Sequence, residues 1–392
     1  MSKSIKTYLK TAAKDYSSRS VNPPVVRAST ILFKTMQELR KHQKDIKKGK
    51  DVEHWDYGRQ GTQTTVQLQK FLRGLEEAHE VFLTPTGFSA VALSIMSICR
   101  PGDEVVISDG VYRPTQKLTD DLLIEFNIKA IWYNPNSFED LKNKITKKTK
   151  LIYVENPGSN TFEMQDLGKI VVLAKSKNIF TAIDNTWATA YFFKPLKLGF
   201  DMSITSATKY YSGHSDVMGG TVAVNKKVYK KVWWYNHVSG YRLSPDDAYL
   251  IIRGLRTLDI RMDKHQESTK KVINFLKGHK KISKILYPYK TSSREFKLWK
   301  KYYSGASGLL SLIIKSKNRN SVYKFVNKLE LFGIGYSWGG FESLAVYTAP
   351  VELGTRRYFK FAKNEHLVRL HIGLEDTKDL INDLKSSLKF IK

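Results

Sequence analysis

The sequence predicts an α/β protein with a mainly parallel sheet and a second, smaller domain toward the carboxyl terminus. Between residues 64 and 224, short apolar runs of strand length alternate with segments whose apolar residues recur at helical spacing. Strands that alternate with helices form parallel sheets covered on both faces. The chain has 392 residues, 41% of them hydrophobic and 26% charged, which suits two or three packed units and excludes a disordered or collagen-like chain.

The predicted elements follow the periodicity of the apolar residues. Helical spacing marks five segments: Thr64–Glu77, Ala90–Ile98, Pro114–Phe126, Asp166–Ser176 and Asp246–His279. Short apolar runs mark eight strands: Glu104–Ser108, Lys150–Glu155, Ile179–Asp184, Met202–Ser206, Thr221–Val224, Gly308–Ile314, Glu342–Tyr347 and Leu367–Ile372. We therefore divide the chain into an N-terminal segment (residues 1–58), a central domain (59–253) and a C-terminal domain (254–392).

The composition is strongly basic. Lys and Arg number 65 against 37 Asp and Glu, a formal net charge of +28 that would suit a nucleic-acid-binding protein. The lysines are spread along most of the chain, however, without a nucleic-acid-binding motif, and the lysine-dense segment 41–50 is typical of a solvated helix face. A lysine-biased surface explains the charge about as well, so we expect no nucleic-acid partner; a filter-binding assay at moderate salt tests this.

Other features concern the compartment and the possible metal or disulfide chemistry. The N-terminal residues lack the apolar stretch of an export signal, and no run of about 18 apolar residues predicts a membrane span. The single cysteine, Cys99, excludes an intramolecular disulfide and a multi-cysteine zinc site, and its apolar neighbours predict a buried thiol. The nine histidines show no metal-ligand spacing. We expect a cytoplasmic enzyme with no membrane partner and no catalytic metal.

Lys209 directly follows the predicted strand Met202–Ser206. Ligands of α/β folds bind at the carboxyl ends of strands, so Lys209 is a candidate site residue. Its amine attacks an aldehyde only when it is deprotonated, and the nearby hydroxyls of Ser206 and Thr208 can donate to an anion. Taken alone, Lys209 is more simply read as a solvated surface lysine.

Four further residues have properties that a ligand site would use. Asp184 ends another apolar strand, where a carboxylate either meets a cation or caps the next turn. Gly87 stands at a helix start, where converging backbone N–H groups can bind a phosphate. Tyr112 either stacks on a planar ring or packs in the core. Arg369 lies between apolar residues, where its guanidinium either binds a ligand carboxylate or forms a structural salt bridge.

Together these requirements describe one cofactor. That cofactor is pyridoxal 5′-phosphate (PLP) acting on an amino acid. It needs a reactive amine for its aldehyde, a carboxylate for its protonated ring nitrogen, an aromatic ring that stacks on it and a helix start for its phosphate. The amino acid needs an arginine for its carboxylate. The order of these residues along the chain is more specific than any one of them.

The sequence resembles the Cys/Met-metabolism family of PLP-dependent enzymes over about residues 20–391. The resemblance rests on seven segments: Tyr57-Gly-Arg-Gln-Gly-Thr62, Ile183-Asp-Asn-Thr-Trp187, Ala207-Thr-Lys-Tyr210, Gly213-His-Ser-Asp216, Ala248–Leu258 with its Arg253-Gly-Leu-Arg-Thr257, Tyr336-Ser-Trp-Gly-Gly-Phe-Glu-Ser343 and Arg369-Leu-His-Ile-Gly-Leu-Glu-Asp376. It implies the aspartate-aminotransferase-like fold (fold type I), with a seven-stranded sheet in the PLP-binding domain 59–253 and a smaller α+β domain after it.

The resemblance also implies roles for individual residues. Lys209 resembles the lysine that joins the cofactor's aldehyde, and Lys209 and Tyr112 are the implied catalytic residues. The implied cofactor ligands are Lys209, Asp184, Tyr112, Gly87, Phe88, Ser206, Thr208, Tyr57 and Arg59. The implied substrate contacts are Arg369, Ser337, Trp338, Tyr336 and Tyr57. Tyr57 and Arg59 resemble a pair that reaches the neighbouring subunit's cofactor, which implies that residues 1–58 contact that subunit in a homotetramer of active-site-sharing dimers.

Two positions indicate a branch of the family. Ser159, in the turn Pro157-Gly-Ser-Asn160, stands where many relatives have an asparagine, and Trp338 stands where γ-lyases and γ-synthases usually have a smaller aliphatic residue. Both resemble the β-lyase branch, which implies α,β-elimination of L-cystathionine to homocysteine, pyruvate and ammonia in methionine biosynthesis. Cysteine desulfhydrase and alanine racemase side activities are compatible with this chemistry.

The alternative within the family is a γ-lyase or γ-synthase that acts on cystathionine, methionine or O-acyl homoserine. The products distinguish the two branches, because β-elimination gives pyruvate whereas γ-elimination gives 2-oxobutyrate.

Overall fold

The computed structural model describes residues 4–14, 19–48, 52, 54–288, 293–349, 353 and 356–392. Within these residues, eleven strands form two sheets. The larger sheet contains β1 Glu80–Thr84, β2 Glu104–Ser108, β3 Lys129–Tyr133, β4 Thr149–Glu155, β5 Phe180–Asp184, β6 Met202–Ser206 and β7 Gly220–Val224. The smaller sheet contains β8 Ile282–Leu286, β9 Leu309–Lys315, β10 Leu344–Thr348 and β11 Glu365–His371.

The larger sheet has the strand order β1-β7-β6-β5-β4-β2-β3. Strands β2 to β6 run parallel, whereas β7 is antiparallel to both of its neighbours. The smaller sheet, β10-β11-β9-β8, is antiparallel throughout. The predicted α/β class, with a mainly parallel seven-stranded sheet and a smaller α+β part, is therefore confirmed over the described residues.

Helices pack against both sheets. The described helices are α1 Ile5–Thr11, α2 Met36–Lys47, α3 Gln63–Glu76, α4 Gly87–Met96, α5 Arg113–Lys117, α6 Phe138–Lys144, α7 Leu167–Ser176, α8 Thr189–Phe192, α9 Pro195–Leu198, α10 Tyr229–Ser239, α11 Pro245–Leu255, α12 Leu258–Leu276, α13 Arg294–Tyr302, α14 Arg319–Asn327 and α15 Thr377–Ser387. A π-helical segment, Leu118–Leu123, continues α5, and a 3₁₀ turn, Leu388–Phe390, follows α15. Among these helices, none combines the length and the apolar character that a membrane span requires.

Helix α4 begins at a capping box. The Thr86 hydroxyl accepts the Ser89 amide at 3.0 Å, and the Ser89 hydroxyl accepts the Thr86 amide at 3.0 Å. The helix buries most of its small and apolar residues against the larger sheet. Cys99, just beyond it, is 2% exposed, which confirms the predicted buried thiol. The cap fixes the first residue of α4, Gly87, beside the end of β6.

The long helical pattern over Asp246–His279 is in fact two helices, α11 and α12. The backbone leaves the helical conformation at Thr257, and the Gly254 carbonyl accepts from the Arg261 guanidinium at 2.7 Å. The same guanidinium donates to the Tyr210 carbonyl at 2.8 Å. The break thus lets Arg261 tie α12 to the segment after Lys209, a long-range contact that periodicity does not reveal.

Strands β1, β3 and β8 were not predicted, and all three lie at the edge of a sheet. Edge strands are covered on fewer sides, and β3 and β8 carry the exposed residues Lys129 and Lys284, which interrupt the apolar pattern.

The predicted solvated helix over 41–50 corresponds to α2, which has no buried residue; residues 49 and 50 lie outside the described part. The domain boundaries stay predictions, and α11 runs across the one at 253.

A carboxyl group is buried under the larger sheet at the end of α3. Glu76 is 1% exposed, and it accepts from the Tyr211 hydroxyl at 2.6 Å and from the Ser203 hydroxyl at 3.4 Å. Burial raises the pKa of Glu76 from 4.5 to about 7, because the charged form loses its hydration. The folded protein therefore holds a proton here that the unfolded chain releases near pH 4.5.

This proton makes stability fall as pH rises. Between pH 4 and pH 8, the Glu76 contribution to the free energy of unfolding is expected to drop by on the order of 3 kcal/mol, and Glu76→Gln should remove that drop. Urea unfolding of both proteins across this range measures the difference. Glu77→Gln is the matched control: Lys194 lowers the pKa of Glu77, so this variant should lose stability that is present above pH 4.5. A difference between wild type and Glu76→Gln that does not vary with pH would contradict the prediction.

Candidate active site

The predicted site residues of the central domain converge at the carboxyl ends of β4, β5 and β6. These strands are neighbours, and their register pairs Glu155 with Asp184 and Asp184 with Ile204. Ser206 ends β6, and Lys209 follows it within one turn, its amide donating to the Ser206 carbonyl at 3.1 Å. The structure therefore brings Asp184 and Lys209 to one edge of the sheet, as the strand-end rule predicts.

The Lys209 amine lies against the smaller domain. Its Nζ donates to the Ser337 Oγ at 2.5 Å and lies 5.5 Å from the centroid of the Trp338 ring. Burial and the positive charge of Arg369 lower the pKa of Lys209 to about 8, while Asp184 acts in the opposite direction. The lowered pKa increases the fraction of the neutral, nucleophilic amine near neutral pH.

Asp184 is held by its own turn. Its Oδ1 accepts the Thr186 amide at 2.9 Å, and the Thr186 Oγ1 accepts the Ser206 amide at 2.9 Å. Burial raises the pKa of Asp184, whereas Thr186 and the charge of Lys209 lower it. In the part of the chain that the structure describes, Asp184 forms no ion pair within 4.0 Å. A cationic ligand group would therefore stabilise its charge.

Tyr112 borders the same site, with its side chain about half exposed. Its backbone amide donates to the Glu155 Oε2 at 2.6 Å. Burial raises the pKa of its phenol and Glu155 and Asp184 add to this, while the charge of Arg369 lowers it. Tyr112 thus lies among Glu155, Asp184 and Arg369, where a planar ligand could contact its exposed ring.

Gly87 and Ser206 meet at the start of α4. A β-carbon on Gly87 would lie 2.5 Å from the Ser206 Oγ, so only glycine allows this approach. Phe88, the next residue, is 41% exposed. The amides that open α4 and the Ser206 hydroxyl form a concave group of donors suited to a phosphate. The Thr208 hydroxyl, in contrast, already bonds to Gly219, donating to its carbonyl at 3.2 Å and accepting its amide at 3.0 Å.

Arg369, Ser337 and Tyr336 reach the site from the smaller domain. The Arg369 Nη2 donates to the Ser337 carbonyl at 3.1 Å, and burial lowers the pKa of its guanidinium. Ser337 has a φ of +84°, a left-handed conformation that is strained for a residue with a side chain. This conformation places its hydroxyl at Lys209 and its carbonyl at Arg369. Tyr336 is 77% exposed.

Tyr57 and Arg59 do not join this cluster within the described chain. The Arg59 guanidinium lies 5.7 Å from the centroid of the Tyr57 ring. Burial lowers the pKa values of His237 and Arg242, and the charge of Arg59 adds to both shifts, which places Arg59 near these two residues. Tyr57 is 46% exposed. Their predicted contact with a neighbouring subunit remains a prediction.

Sequence reasoning missed two charged residues near the site. Glu155 accepts from Tyr112 and from Ser159, and burial together with the charge of Asp184 raises its pKa well above the usual range. Arg356, 4% exposed, donates to the carbonyls of Asp109 and Ser159 and partly offsets that shift. Glu155 ends a predicted strand, so the strand-end rule could have found it. No comparable signal marks Arg356.

The residues present fit PLP. The approach of Gly87 to Ser206 leaves a cradle of donors that a β-carbon would fill, as a phosphate requires. Asp184 is partly buried and has no ion-pair partner among the described residues, which suits a protonated ring nitrogen. Lys209 has the lowered pKa that an aldehyde-binding amine needs. Over the described residues, no three His, Cys, Asp or Glu side chains are grouped as metal ligands.

Comparison with known proteins agrees with this geometry. The chain is 35% identical to "Cystathionine beta-lyase MetC" of Escherichia coli over 95% of its length and 94% of that protein. It is 33% identical to "L-alanine/L-glutamate racemase" of Wolbachia pipientis over 94% and 92%. The crystal structure of cystathionine gamma synthase from Xanthomonas oryzae matches with a TM-score of 0.90 at 28% identity, covering 100% of this chain and 99% of that one. The predicted fold type I is therefore confirmed.

The family model described as "Cys/Met metabolism PLP-dependent enzyme" matches residues 6–389, nearly the whole chain. PLP is the cofactor of that family. The chain therefore belongs to the Cys/Met metabolism family of PLP-dependent enzymes.

Proposed function

We propose that this protein is a carbon–sulfur lyase that converts L-cystathionine to homocysteine, pyruvate and ammonia by α,β-elimination. The observation that carries the proposal is the Lys209 amine, held at Ser337 between the charges of Arg369 and Asp184. This arrangement supplies a partly neutral base next to a site for an α-carboxylate. The similarity to the Escherichia coli cystathionine beta-lyase supports the choice of substrate.

The cofactor would be held by residues of the central domain. Bound PLP withdraws electrons from the α-carbon of an attached amino acid. In our proposal Lys209 anchors it, Asp184 keeps its ring nitrogen protonated and Tyr112 stacks on its ring. The proposed phosphate ligands are Gly87, Phe88 and Ser206, joined by Thr208 when its hydroxyl turns from the Gly219 carbonyl to the phosphate.

The reaction itself would be performed by four side chains. Arg369, with Ser337, binds the substrate α-carboxylate and orients the Cα–H bond toward Lys209. The neutral Lys209 amine, assisted by Tyr112, takes the α-proton, and its ammonium form then protonates the leaving sulfur. Since one residue accepts and returns the proton, its pKa should lie near neutral pH, as burial and Arg369 arrange for Lys209. Trp338 and Tyr336 contact the rest of the substrate.

We further propose that the active unit is a cytoplasmic homotetramer of active-site-sharing dimers. Tyr57 and Arg59, which lie apart from Lys209 in their own chain, would complete the phosphate and substrate contacts of a neighbouring subunit. The exposure of Tyr57 supports this, since a ring 46% exposed is available to a second copy. Sedimentation velocity of the holoenzyme tests the assembly.

Product analysis tests the proposed reaction. The holoenzyme incubated with L-cystathionine should release pyruvate and homocysteine in equal amounts. Release of 2-oxobutyrate and cysteine would show γ-elimination and replace the β-lyase by the γ-lyase alternative.

Racemisation of alanine is a second candidate activity. It is favoured by the 33% identity to the Wolbachia pipientis protein named as an L-alanine/L-glutamate racemase. After a base has removed the α-proton, a proton donated from the opposite face gives the D-isomer when the substrate has no leaving group. Incubation of the holoenzyme with L-alanine, followed by chiral analysis for D-alanine, tests this activity. Recovery of the alanine entirely as the L-isomer would exclude racemisation.

Cofactor uptake should follow the ionisation of Lys209. The rate at which the apoprotein takes up PLP is expected to rise with pH and level off above about pH 8, because only the neutral amine reacts and its pKa is about 8 rather than 10.5. Visible absorbance during mixing at pH 6 to 10 measures the rate. Borohydride reduction and peptide mapping should place the label on Lys209. A midpoint near pH 10 would contradict the predicted environment of this amine.

A further inference from the structure

His371 bonds to one loop of the smaller domain through both of its ring nitrogens. The Gly339 amide donates to Nε2 at 3.0 Å, and Nδ1 is 3.0 Å from the Glu342 carbonyl. A backbone amide can only donate, so Nε2 carries no proton, and Nδ1 carries the one that the carbonyl accepts. The two bonds together require the neutral imidazole with its proton on Nδ1. We call residues 337–342 the 337–342 loop.

The same loop contacts Lys209 and Arg369. Gly339 has a φ of +88°, and a β-carbon there would lie 3.0 Å from the backbone carbon of Lys209, so the loop packs directly on the lysine's main chain. Its first residue, Ser337, accepts from the Lys209 Nζ and, through its carbonyl, from the Arg369 guanidinium. The loop therefore contacts both the amine and the guanidinium of the proposed reaction.

Arg369 and His371 lie two residues apart on β11, so their side chains leave the same face of the strand. Arg369 holds the first residue of the 337–342 loop, and His371 holds its middle and its end. One strand thus fixes the loop at three points.

A buried aromatic group keeps His371 neutral. Its ring centroid lies 5.2 Å from that of His265 and 6.0 Å from that of Tyr210. Tyr210 in turn lies 5.5 Å from the Trp338 ring. Burial, with a smaller contribution from the neighbouring His265, lowers the pKa of His371 well below its usual value. The acceptor at Nε2 is therefore available throughout the neutral range.

We propose that His371 is a positioning residue: its Nε2 acceptor holds the Gly339 amide and so keeps Ser337 on Lys209 and the Arg369 guanidinium directed at the substrate carboxylate. This inference rests on the proposed binding of an amino-acid carboxylate by Arg369. His371 itself does not contact the reacting atoms in this proposal. Its loss should weaken carboxylate recognition more than it slows the chemical step.

Two substitutions distinguish the hydrogen bond at Nε2 from the one at Nδ1. In His371→Gln, the amide oxygen can occupy about the position of Nε2 and still accept from Gly339. In His371→Asn, the shorter amide can replace Nδ1 as donor to Glu342 but leaves the Gly339 amide without an acceptor. We expect His371→Asn to raise the KM for cystathionine about tenfold or more with a smaller change in kcat. His371→Gln should stay within about threefold of wild type in both.

His265→Asn is the matched control. His265 belongs to the same buried group, and its Nδ1 donates to the Ile372 carbonyl at 2.8 Å, whereas its Nε2 has no hydrogen-bond partner among the residues that the structure describes. The substitution removes the same atoms from the same core without touching the 337–342 loop. Its KM should therefore stay near the wild-type value, and its melting temperature reports the structural cost shared by both Asn variants.

Ligand binding gives a second readout. The dissociation constants of glycine and of methylamine can be measured from the change that each causes in the visible absorbance of the holoenzyme. His371→Asn should weaken glycine about tenfold and leave methylamine unchanged, because methylamine has no carboxylate for Arg369. This comparison remains informative even if cystathionine proves not to be the substrate.

Three outcomes would overturn the proposal: equal KM values for His371→Asn and His265→Asn, a His371→Gln variant as impaired as His371→Asn, or equal weakening of glycine and methylamine. Should His371→Asn fail to fold, Gly339→Ala disturbs the same contact from the loop side, since its β-carbon would press on Lys209. It should show the same selective loss of glycine binding. Equal affinity for glycine in Gly339→Ala and wild type would also overturn the proposal.

Discussion

Replacing Lys209 by alanine is expected to slow pyruvate release from L-cystathionine by at least about 1000-fold. The variant loses both the amine that anchors the cofactor and the base that takes the α-proton, and a positioned acid–base group alone typically contributes about 10²- to 10⁴-fold. Lys209 is the amine that burial and Arg369 bring to a pKa of about 8 in this site. Lactate-dehydrogenase-coupled assay of pyruvate measures the rate.

Lys271→Ala serves as the control for this substitution. Lys271 is an exposed lysine on α12 that pairs with Glu267 one turn away, a solvated contact that contributes little to stability. Its activity should equal that of the wild type. Pyruvate release by Lys209→Ala within about tenfold of wild type would remove Lys209 from the mechanism.

The part of this site that lies on the larger sheet could be predicted from the sequence. Asp184 and Ser206 each end an apolar strand, and Lys209 follows within one turn. Parallel strands end at the same edge of their sheet, so local patterns alone indicate that these residues meet. Gly87 was also predictable, because a glycine before a small-and-apolar helix indicates a helix start that can approach another group closely.

The part contributed by the smaller domain could not be predicted in the same way. The bond from the Gly339 amide to His371 joins residues 32 positions apart and depends on the left-handed backbone of the 337–342 loop. Nothing in the residues around His371 distinguishes a loop-binding imidazole from an ordinary core histidine. Arg356 likewise reaches Asp109 across 247 positions. Such contacts depend on how segments far apart in the sequence pack together, which periodicity does not encode.

Arg369→Leu is expected to lower kcat/KM for L-cystathionine by about 10²- to 10³-fold. Leucine keeps the apolar volume of the side chain but removes the guanidinium. Losing one partner of a charge-assisted carboxylate contact typically costs about 3–4 kcal/mol. Each step of about 1.4 kcal/mol corresponds to a tenfold change in the constant. Most of the loss should appear in KM, since the contact is made before the proton moves. Steady-state kinetics with cystathionine measures it. Arg319→Leu, which removes an exposed guanidinium 5.6 Å from the centroid of the Tyr323 ring, should leave kcat/KM unchanged.

The same substitution should change the ionisation of Lys209 in a known direction. The positive charge of Arg369 lowers the pKa of Lys209, so its removal should move that pKa upward from about 8. The pH midpoint of PLP uptake by the Arg369→Leu apoprotein should therefore lie above the wild-type midpoint. A general disturbance of the fold would also raise this midpoint, because it would expose Lys209 to solvent. Such a disturbance would lower the melting temperature too, which distinguishes the two cases. An Arg369→Leu variant with an unchanged uptake midpoint and an unchanged KM would show that Arg369 neither faces Lys209 nor binds the substrate carboxylate.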